Sequence, residues 1–559
     1  MKHKPLPIGI EDFEKMITKG FYYVDKTFLI KDLIDNMSEV SLFTRPRRFG
    51  KSLNMSMLQY FFDIEKDSIQ LFDGLNIMST GEQYTSHMNQ YPVINLTFKA
   101  SGKLNFKSSV NKLIESLISE FDRHSYILDS HNMSQDKKND YAKILNKSAS
   151  IDDYSGSLKF LSNCLEHHHK KKVIILIDEY DVPLENAYFK GFYEEMIDFI
   201  RSLLGDALKT NSSLNFAVLT GCLRISKESI FTGLNNLRVI SILTNRYSEY
   251  FGFTEKETEQ ALTYYHLESK IDEVREWYNG YYFGDSNVYN PWSVIHYLDD
   301  TYREYDNYPI SYWANTSSND IIRTLIKKAG TEEKEEIENL IKGGIITKPV
   351  HEDITYEDID SSMDNLWNVL LFVGYLKKVD EINEGRKRFV TMNIPNEEVL
   401  CIYEEKIIEW FHENIKINDT SVLCQAIVEK DTAKIAEELN NRLVSIISFY
   451  DSAENFYHGF LVGILSNIKE YRVKSNRETG FGRSDIFMKR IGSDYGSAIF
   501  EIKTAKQRGE LAEKCTEALE QIKEKKYVHE LEEDGYRDVI LYGISFCGKE
   551  CMIKTGSTL

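Results

Sequence analysis

The sequence predicts an α/β protein with one β-sheet near each end of the chain. Residues 39–43 (EVSLF) are typical of a short buried strand, and the segment from Lys51 to Phe62 then carries apolar residues at helical spacing. Residues 173–177 (VIILI) are continuously apolar, as a strand buried on both faces requires. A further strand is predicted near the C-terminus within SAIFEIKTAK (497–506), where Glu501 and Lys503 alternate. With 559 residues, the chain is long enough for about two to four domains.

Composition restricts the classes of function. The net charge of −19 disfavours a protein that coats nucleic acid, because phosphate binding draws its affinity from Lys and Arg. Any nucleic-acid contact is therefore expected to be local. Seven scattered cysteines, without zinc spacing or a disulfide framework, indicate a reducing compartment and a cytoplasmic protein. Since no window reaches the roughly 18–20 continuous apolar residues of a membrane span, no membrane partner is expected.

The segment TRPRRFGKS (44–52) has the pattern of a phosphate-binding P-loop. A strand, a tight loop and a helix whose free N–H groups meet the phosphates are the context that this motif requires. Lys51 is expected to reach the terminal phosphates of ATP, and the Ser52 hydroxyl to ligate Mg²⁺. The remaining nucleotide-binding residues predicted here are Arg48, Phe49, Gly50 and Leu53. Arg45 occupies the first glycine of the GxxxxGK[ST] pattern, so a basic helix N-terminus is the alternative interpretation.

Two further strands end in residues that suit ATP hydrolysis. The apolar run 173–177 leads into acids typical of a Walker B motif, where Asp178 would hold Mg²⁺ and Glu179 would orient the attacking water. The strand within LNFAVLTGCLR (214–224) ends near Thr220, which can sense the terminal phosphate, and Arg224, which can stabilise transition-state charge. The alternative for the first pattern is a buried strand that meets a polar loop, which the upstream Gly-Lys-Ser loop disfavours; for Thr220 and Arg224 an ordinary strand end explains the pattern nearly as well.

A second chemical pattern lies near the C-terminus. Glu501 and Lys503 alternate along one strand and therefore share a face. If a hairpin brings Asp485 to that face, two carboxylates can bind a divalent metal while the lysine positions or activates a water. The spacing D-x15-E-x-K resembles the PD-(D/E)xK nuclease core, with Ser484 in place of the proline. The alternatives are a cross-strand ion pair for Glu501 and Lys503 and a turn cap for Asp485.

Other residues extend this C-terminal pattern. Glu454, on the preceding helix, is a candidate for a further metal-binding acid. Gln521 and Tyr527, on the following charged helix, resemble the helix residues that assist catalysis in the exonuclease branch of the same superfamily. An ordinary polar helix face is the alternative for Glu454. The residues that make this region locally basic are Arg472, Lys474, Arg477, Arg483, Lys503, Lys506 and Arg508.

Several motifs together resemble a family of microbial proteins, the predicted AAA-ATPase-like family. They are IGIEDF, YYVDKT, RPRRFGKSL, LIDEYD, FTGLNNL, FGFTEKE, WYNGYYFG, YNPWSV and YWANTS. The resemblance covers residues 5 to about 320, and the arginine at position 45 is part of the family's own RPRRFGKS pattern. Residues 451 to about 550 look like the nuclease-like domain that follows the AAA-like domain in this family.

We therefore predict an α/β fold that joins a P-loop NTPase (AAA-like) parallel sheet to a C-terminal PD-(D/E)xK restriction-endonuclease-like domain. The predicted segments are the AAA-like P-loop ATPase domain 1–243, a helical lid 244–329, a mainly helical connecting region 330–450 and the nuclease-like domain 451–559. Aromatic residues of the lid are interpreted as core rather than as a base-stacking platform. They are Trp277, Tyr281, Tyr282, Trp292 and Trp313.

The functional hypothesis is an ATPase whose nucleotide state controls a DNA nuclease that uses Mg²⁺ or Mn²⁺, in defence or in the biology of mobile elements. The alternative is an ATP-driven signalling or scaffold switch whose nuclease-like domain is inactive and binds a partner. A processive motor ranks last, because it needs a homo-oligomer and an arginine, here Arg224, supplied across subunits.

Overall fold

The computed structural model describes most of the chain. The described residues are 3–130, 133–224, 236–303, 308–313, 320–352, 354, 356–385, 387–417, 421–444, 454–466, 468, 470–475, 485–492, 496–524, 531, 535–537 and 539–556. Within these ranges the description covers the backbone but not the side chains at positions 320, 331, 357, 360, 408–417, 444, 454–456, 459, 474, 475, 485 and 524.

The chain divides into two compact units. Unit 1 contains Met1–Ile321 and Ile345–Ile402, and unit 2 contains Ile322–Gly344 and Tyr403–Leu559. This division differs from the four segments expected from the sequence. The expected lid lies in the same unit as the expected ATPase domain, and the expected connecting region is shared between the two units.

Unit 1 is built around a parallel sheet with helices on both faces. Its strands are β1 (Val40–Thr44), β2 (Val93–Thr97), β3 (Val173–Asp178), β4 (Leu214–Gly221) and β5 (Leu237–Ile240). In the described residues the strand order is β2-β3-β4-β1-β5, and every pairing is parallel. β1 and β3 are buried throughout, which explains the continuously apolar run 173–177 of β3. The carboxyl ends of β1, β3 and β4 therefore meet at one edge of the sheet.

Helices precede, connect and flank these strands. They are α1 (Phe13–Thr18), α2 (Phe28–Asn36), α3 (Lys51–Phe62), α4 (Glu82–Thr85), α5 (Phe106–Arg123), α6 (Gln135–Leu145), α7 (Ile151–Ser155), α8 (Ser157–His169), α9 (Val182–Lys190) and α10 (Tyr193–Leu208). Short 3-10 helices cover Ile69–Phe72, Asn76–Ser79, Lys99–Ser101 and Ser125–Asp129. The bounds of α3 are those that the apolar spacing predicted.

The segment predicted as a helical lid also contains a small antiparallel sheet. Its elements are β6 (Phe253–Thr254), α11 (Glu255–Tyr264), α12 (Ile271–Tyr278), β7 (Tyr281–Phe283), β8 (Ser286–Tyr289) and α13 (Pro291–Tyr302), with a 3-10 helix at Glu268–Lys270. The sheet order is β6-β8-β7. The segment is mainly helical, and the small sheet adds to that expectation: Gly280 and Gly284 adopt positive φ, and the aromatic residues between them extend as a strand rather than continue α12.

Residues 320–444 supply elements to both units. They are α14 (Asp320–Lys328), α15 (Thr331–Ile341), β9 (Ile346–Pro349), α16 (Met363–Val373), β10 (Lys377–Glu384), β11 (Lys387–Asn393), α17 (Glu397–Ile417), α18 (Ser421–Glu429) and α19 (Thr432–Val444), with a 3-10 helix at Glu357–Asp360. The three strands form an antiparallel sheet in the order β10-β11-β9. Among the described helices of the chain, none combines the length and the apolar character that a membrane-spanning segment needs.

The C-terminal part of unit 2 is a mixed sheet with a helix on each face. Its elements are α20 (Glu454–Leu465), β12 (Tyr471–Ser475), β13 (Asp485–Arg490), β14 (Ala498–Thr504), α21 (Leu511–Glu524), β15 (Ile540–Cys547) and β16 (Glu550–Gly556), with a 3-10 helix at Arg508–Glu510. The described strands follow the order β12-β13-β14-β15-β16. β14 and β15 are parallel, and α21 lies in the crossover connection that a parallel pair needs. The other pairings are antiparallel.

The two faces of β14 pack against different helices. Phe500 and Ile502 join the apolar cluster that includes residues of α20, whereas Ile499 joins a second cluster with Ile522 of α21. Because side chains alternate along a strand, Glu501 and Lys503 share the face of Ile499, which α21 covers.

Gly543 lets α21 approach the sheet beside Glu501. It pairs with Glu501 in the parallel ladder between β14 and β15. A Cβ at this position would lie 2.3 Å from the carbonyl oxygen of Cys515 and 2.9 Å from Cγ of Leu519, both on α21. The absence of a side chain at residue 543 therefore sets the distance between the helix and the strand that carries Glu501 and Lys503.

We predict that Gly543→Ala destabilises the C-terminal sheet by about 1–3 kcal/mol, because the helix backbone must move away. The matched control is Gly509→Ala, where an added Cβ meets nothing within 4 Å. Hydrogen exchange of the amides in β14 and β15 measures the effect. Equal exchange rates in both variants would show that this close packing does not limit stability.

Side chains of α5 cover the outer edge of β2, an edge strand of the parallel sheet. The Asn95 amide donates to Oε1 of Glu120 at 2.7 Å, and the carbonyl of Val93 lies 3.1 Å from Nε2 of His124. Nδ1 of the buried His124 lies 2.7 Å from Oε1 of Glu65. Burial alone would lower the pKa of His124, but its hydrogen bonds to Glu120 and Glu65 outweigh burial and raise it.

A raised pKa in the folded state means that the charged His124 stabilises the fold at low pH. This contribution is complete below the unfolded pKa of about 6.5, and it is lost as the pH rises through the higher folded value. We therefore expect the unfolding temperature of the wild type to fall more steeply than that of His124→Gln from about pH 6.5 upward. Parallel curves for the two proteins in thermal unfolding would contradict this assignment.

Candidate functional site

The loop between β1 and α3 has the backbone that a close approach to an anion requires. Gly50, the N-cap of α3, has φ +79° and ψ +14°, a conformation that favours glycine. Arg48 also adopts a positive φ, whereas Arg45 is outside that region. Position 45 therefore does not need a glycine. The first-turn N–H groups of α3 lack partners within the helix and face this loop.

The Arg45 side chain fills the core beneath the loop. It is fully buried, and its Nη1 donates to the carbonyls of Thr44 and Ile240 at 2.9 Å. The guanidinium carbon lies 5.3 Å from the ring centroid of Phe251 and 4.9 Å from that of Phe283. Burial lowers the pKa of Arg45 to about 9, since the surroundings offer dipoles and aromatic rings rather than a carboxylate. This arginine supports the loop from below.

Lys51 lies across the carbonyl groups of its own loop. Its Nζ donates to the carbonyls of Arg45 at 2.9 Å and Pro46 at 2.8 Å, and it lies 3.8 Å from Sγ of Cys222. The ammonium group is buried with the rest of the side chain. A cation is thus held at the N-terminus of α3 by weak, neutral acceptors that a phosphate can replace.

Ser52, in the first turn of α3, meets Asp178 and Thr220 at the ends of the adjacent strands β3 and β4. Oγ of Ser52 donates to Oδ2 of Asp178 at 2.6 Å, and Oγ1 of Thr220 donates to Oδ1 of the same carboxylate at 2.5 Å. The amide of Glu179 donates back to Oγ1 of Thr220 at 3.3 Å. The structure therefore brings together three residues that the sequence analysis had assigned separately.

Glu179 directly follows β3, has a strained backbone conformation and lines a cavity. It has φ +54°, which is uncommon for a non-glycine residue and clusters at functional sites. Burial raises the pKa of its carboxyl. Asp181, two residues later, has a structural role instead. Its Oδ2 accepts hydrogen bonds from the amides of Cys222 at 2.7 Å and Leu223 at 3.0 Å. These bonds connect the segment after β3 to the segment after β4.

A cavity of about 370 Å³ opens above this junction. The predicted nucleotide-site residues in its wall are Arg48, Phe49, Gly50, Lys51, Ser52, Leu53 and Glu179. Asp178 and Thr220 lie behind Ser52 rather than in the wall. Arg224 follows the end of β4 and, in the described part of the chain, is not a wall residue. Its predicted transition-state role stays a prediction.

The cavity wall also contains residues that sequence reasoning missed. Lys26 is buried, with Nζ 2.6 Å from Oε2 of Glu257 and 2.7 Å from the Glu249 carbonyl. Burial lowers its pKa, against the opposing effect of Glu257. Trp292, which was interpreted as core, is only half-buried and lines the cavity. The sequence signal for it was Asn-Pro, which caps a helix and places the next residue in its first turn.

In the C-terminal sheet, Glu501 and Lys503 lie together on the α21 face. Glu501 is fully buried, and Nζ of Lys503 lies 3.3 Å from its Oε1. The antiparallel ladder places the backbone of Asp485 directly opposite Glu501. Gln521 is half-buried on α21, the helix that covers this face.

Part of the predicted C-terminal constellation lies outside the described residues. This applies to the side chains of Glu454 and Asp485, although their backbones belong to α20 and β13, and to the whole of Tyr527. Arg477, Arg483 and Ser484 also lie outside it, as does the side chain of Lys474. Within the described residues, no group of three His, Cys, Asp or Glu side chains is arranged to hold a metal.

These two sheets define the class of protein. Residues 7–231 match the profile of the family described as Predicted AAA-ATPase, and residues 452–556 match that of the PD-(D/E)XK nuclease superfamily. The chain thus combines an AAA-ATPase-like domain with a PD-(D/E)XK nuclease-like domain, as the sequence motifs indicated.

The chain is also similar to a curated protein over about half of each sequence. The "Uncharacterized protein in vnfD 5'region" of Azotobacter chroococcum mcd 1 is 30% identical over 298 residues, which are 53% of this chain and 52% of that protein. The chain therefore matches about half the length of this relative. No solved structure matches the chain at a significant level.

Proposed function

We propose that unit 1 binds and hydrolyses ATP with Mg²⁺, and that its nucleotide state controls a metal-dependent DNA nuclease in unit 2. The observation that carries the first part is the hydrogen-bonded junction of Ser52, Asp178 and Thr220 below the cavity. These side chains come from the N-terminus of α3 and the ends of β3 and β4, at the edge of the sheet where parallel sheets bind their ligands.

The cavity suits a nucleoside triphosphate. The N-terminus of α3 offers N–H groups and a positive dipole end, Gly50 allows the phosphates to approach the backbone, and Lys51 adds a cation held only by neutral acceptors. Apolar wall residues from two other segments, Ile10 and Phe253, can cover the base and ribose. The wall therefore combines positive groups for the phosphates with apolar groups for the base and ribose.

Ser52 and Asp178 offer the oxygen ligands that Mg²⁺ prefers, and Oγ of Ser52 lies 2.6 Å from Oδ2 of Asp178. When bound, Mg²⁺ neutralises charge that develops on the phosphates. Thr220 fixes the carboxylate of Asp178 and the backbone of Glu179 at once. Glu179 then accepts a proton from a water molecule in the cavity or orients it, and the raised pKa that burial gives its carboxyl suits a proton acceptor.

Lys51→Ala is expected to weaken ATP binding about 10- to 100-fold, because charge-assisted bonds to phosphate are lost. Glu179→Gln is expected to retain ATP binding but to hydrolyse ATP about a hundredfold more slowly. Calorimetry and phosphate release measure these two effects in the full chain. The control is Lys190→Ala, an exposed lysine of α9. Unchanged ATP affinity in Lys51→Ala would contradict the site assignment.

The nuclease proposal rests on the pairing of Glu501 with Lys503 on a strand whose neighbour begins at Asp485. A fully buried carboxylate is costly unless a cation compensates it. Lys503 provides one such charge at 3.3 Å. Glu501 and Asp485, with Glu454 as a further acid, would hold Mg²⁺ or Mn²⁺, which activates water for phosphodiester cleavage. Lys503 and Gln521 would position that water and the phosphate.

We expect Lys503→Ala to cut DNA at least about a hundredfold more slowly than the wild type with Mg²⁺ or Mn²⁺, since it removes a charge from the reacting centre. Lys523→Ala, an exposed lysine on α21, is the matched control and should cut like the wild type. Gel assays on linear and circular DNA measure both. Equal cutting by both variants would contradict a catalytic role for Lys503.

The net charge of −19 favours a second candidate, an ATP-driven signalling or scaffold switch whose nuclease-like domain binds a protein partner. The two candidates differ in their need for metal. Loss of Mn²⁺ binding in Glu501→Gln, measured by calorimetry on the full chain, supports the nuclease, because a scaffold does not need the ion.

All seven cysteines are free thiols, which agrees with the cytoplasmic setting that we propose.

A further inference from the structure

Arg48 and Trp292 meet at the wall of the nucleotide cavity. The guanidinium carbon of Arg48 lies over the indole ring, 4.1 Å from its centroid. Both residues line the cavity. An arginine over tryptophan is the strongest common cation–π pair, and the attraction grows when water is excluded. Arg48 is half-buried, and burial lowers its pKa, with Glu11 and Glu179 acting in the opposite direction.

Of the three loop arginines, Arg48 is the one placed to offer its charge to a ligand. Arg45 is buried beneath the loop, and Arg47 forms an ion pair with Glu185. In the described part of the chain, the guanidinium of Arg48 makes no ion pair and rests on the indole of Trp292 instead. A ring contact uses the face of the guanidinium and leaves the N–H groups at its edge directed outward.

The backbone of Trp292 is fixed by hydrogen bonds in the first turn of α13. Pro291 occupies the first helical position, and the side chain of the buried Asn290 accepts the Trp292 amide at 3.1 Å. The next residue, Ser293, donates its hydroxyl to the buried Glu398, with 2.8 Å to either carboxylate oxygen. Glu398 also accepts the amide of Trp313 at 2.9 Å. The backbone that carries the indole is therefore fixed on both sides.

The indole ring is unsuited to bind the nucleotide base directly. The guanidinium of Arg48 already lies over the ring, at the position that a stacked base would take. On the helix side, the ring of His296 lies 4.3 Å away, centroid to centroid. The geometry favours a role in which the tryptophan acts through the arginine.

We propose that Trp292 is a positioning residue for nucleotide binding, which holds the Arg48 guanidinium against the cavity wall so that its N–H groups meet the phosphates. This inference rests on the proposed ATP site. A free arginine side chain loses rotamer freedom when it binds a phosphate, whereas one that is already held against a ring loses less. The contact also links the phosphate loop to α13.

A double-mutant cycle tests the proposal on the full chain, with the affinity for Mg²⁺-ATP measured by calorimetry. We expect Arg48→Ala and Trp292→Ala each to weaken binding about tenfold. In the Arg48→Ala background, Trp292→Ala should cause no further loss. Additive losses would mean that Trp292 touches the nucleotide or only supports the fold, and they would overturn the inference.

Trp292→Phe keeps an aromatic ring under the guanidinium, so it should bind ATP within about threefold of the wild type. If Trp292→Ala does not fold, the affinity of Trp292→Phe tests whether Trp292 acts by positioning Arg48. An affinity of Trp292→Phe as weak as that of Arg48→Ala would overturn the inference. Absence of ATP binding by the wild type would overturn the proposed ATP site and the inference together, whereas additivity in the cycle overturns the inference alone.

Discussion

The hydrogen bonds that join Ser52 and Thr220 to Asp178 hold the candidate site together. They fix one carboxylate between a helix N-terminus and the end of a neighbouring strand. This arrangement requires β4 to lie between β1 and β3, which is the observed strand order. Because the fixed carboxylate, the helix and the cavity share one edge of the sheet, the chemistry proposed for unit 1 depends on this junction.

The loop above the junction lacks the first glycine of a standard phosphate loop and is anchored by side chains instead. Arg45 reaches Phe283 of β7, and Arg47 pairs with Glu185 of α9. Pro46 packs against Gly374, where an added Cβ would lie 3.0 Å from the proline ring. Residues far apart in the sequence thus hold one loop, which explains why Ile345–Ile402 belong to unit 1 rather than to a separate connector.

Local patterns predicted the elements but not their long-range pairing. The apolar runs located β1 and β3, and apolar spacing located α3, because burial and helical period leave direct traces in sequence. The two-residue alternation likewise placed Glu501 and Lys503 on one face. The strand order, the small sheet in the expected lid and the return of Ile345–Ile402 to unit 1 depend on contacts between distant residues. The Asn-Pro pair places Trp292 in the first turn of a helix, but this signal does not separate a cavity-wall position from core, and Trp292 was therefore interpreted as core.

The candidate catalytic residues lie at two centres, one in each unit. We propose that the nucleotide state of the first centre controls DNA cleavage at the second. The most direct test is DNA cleavage by the wild type and by Lys51→Ala, each with Mg²⁺ and with or without ATP. The account predicts that ATP changes cleavage by the wild type and has no effect on Lys51→Ala. Cleavage that is the same with and without ATP in both proteins would contradict nucleotide control.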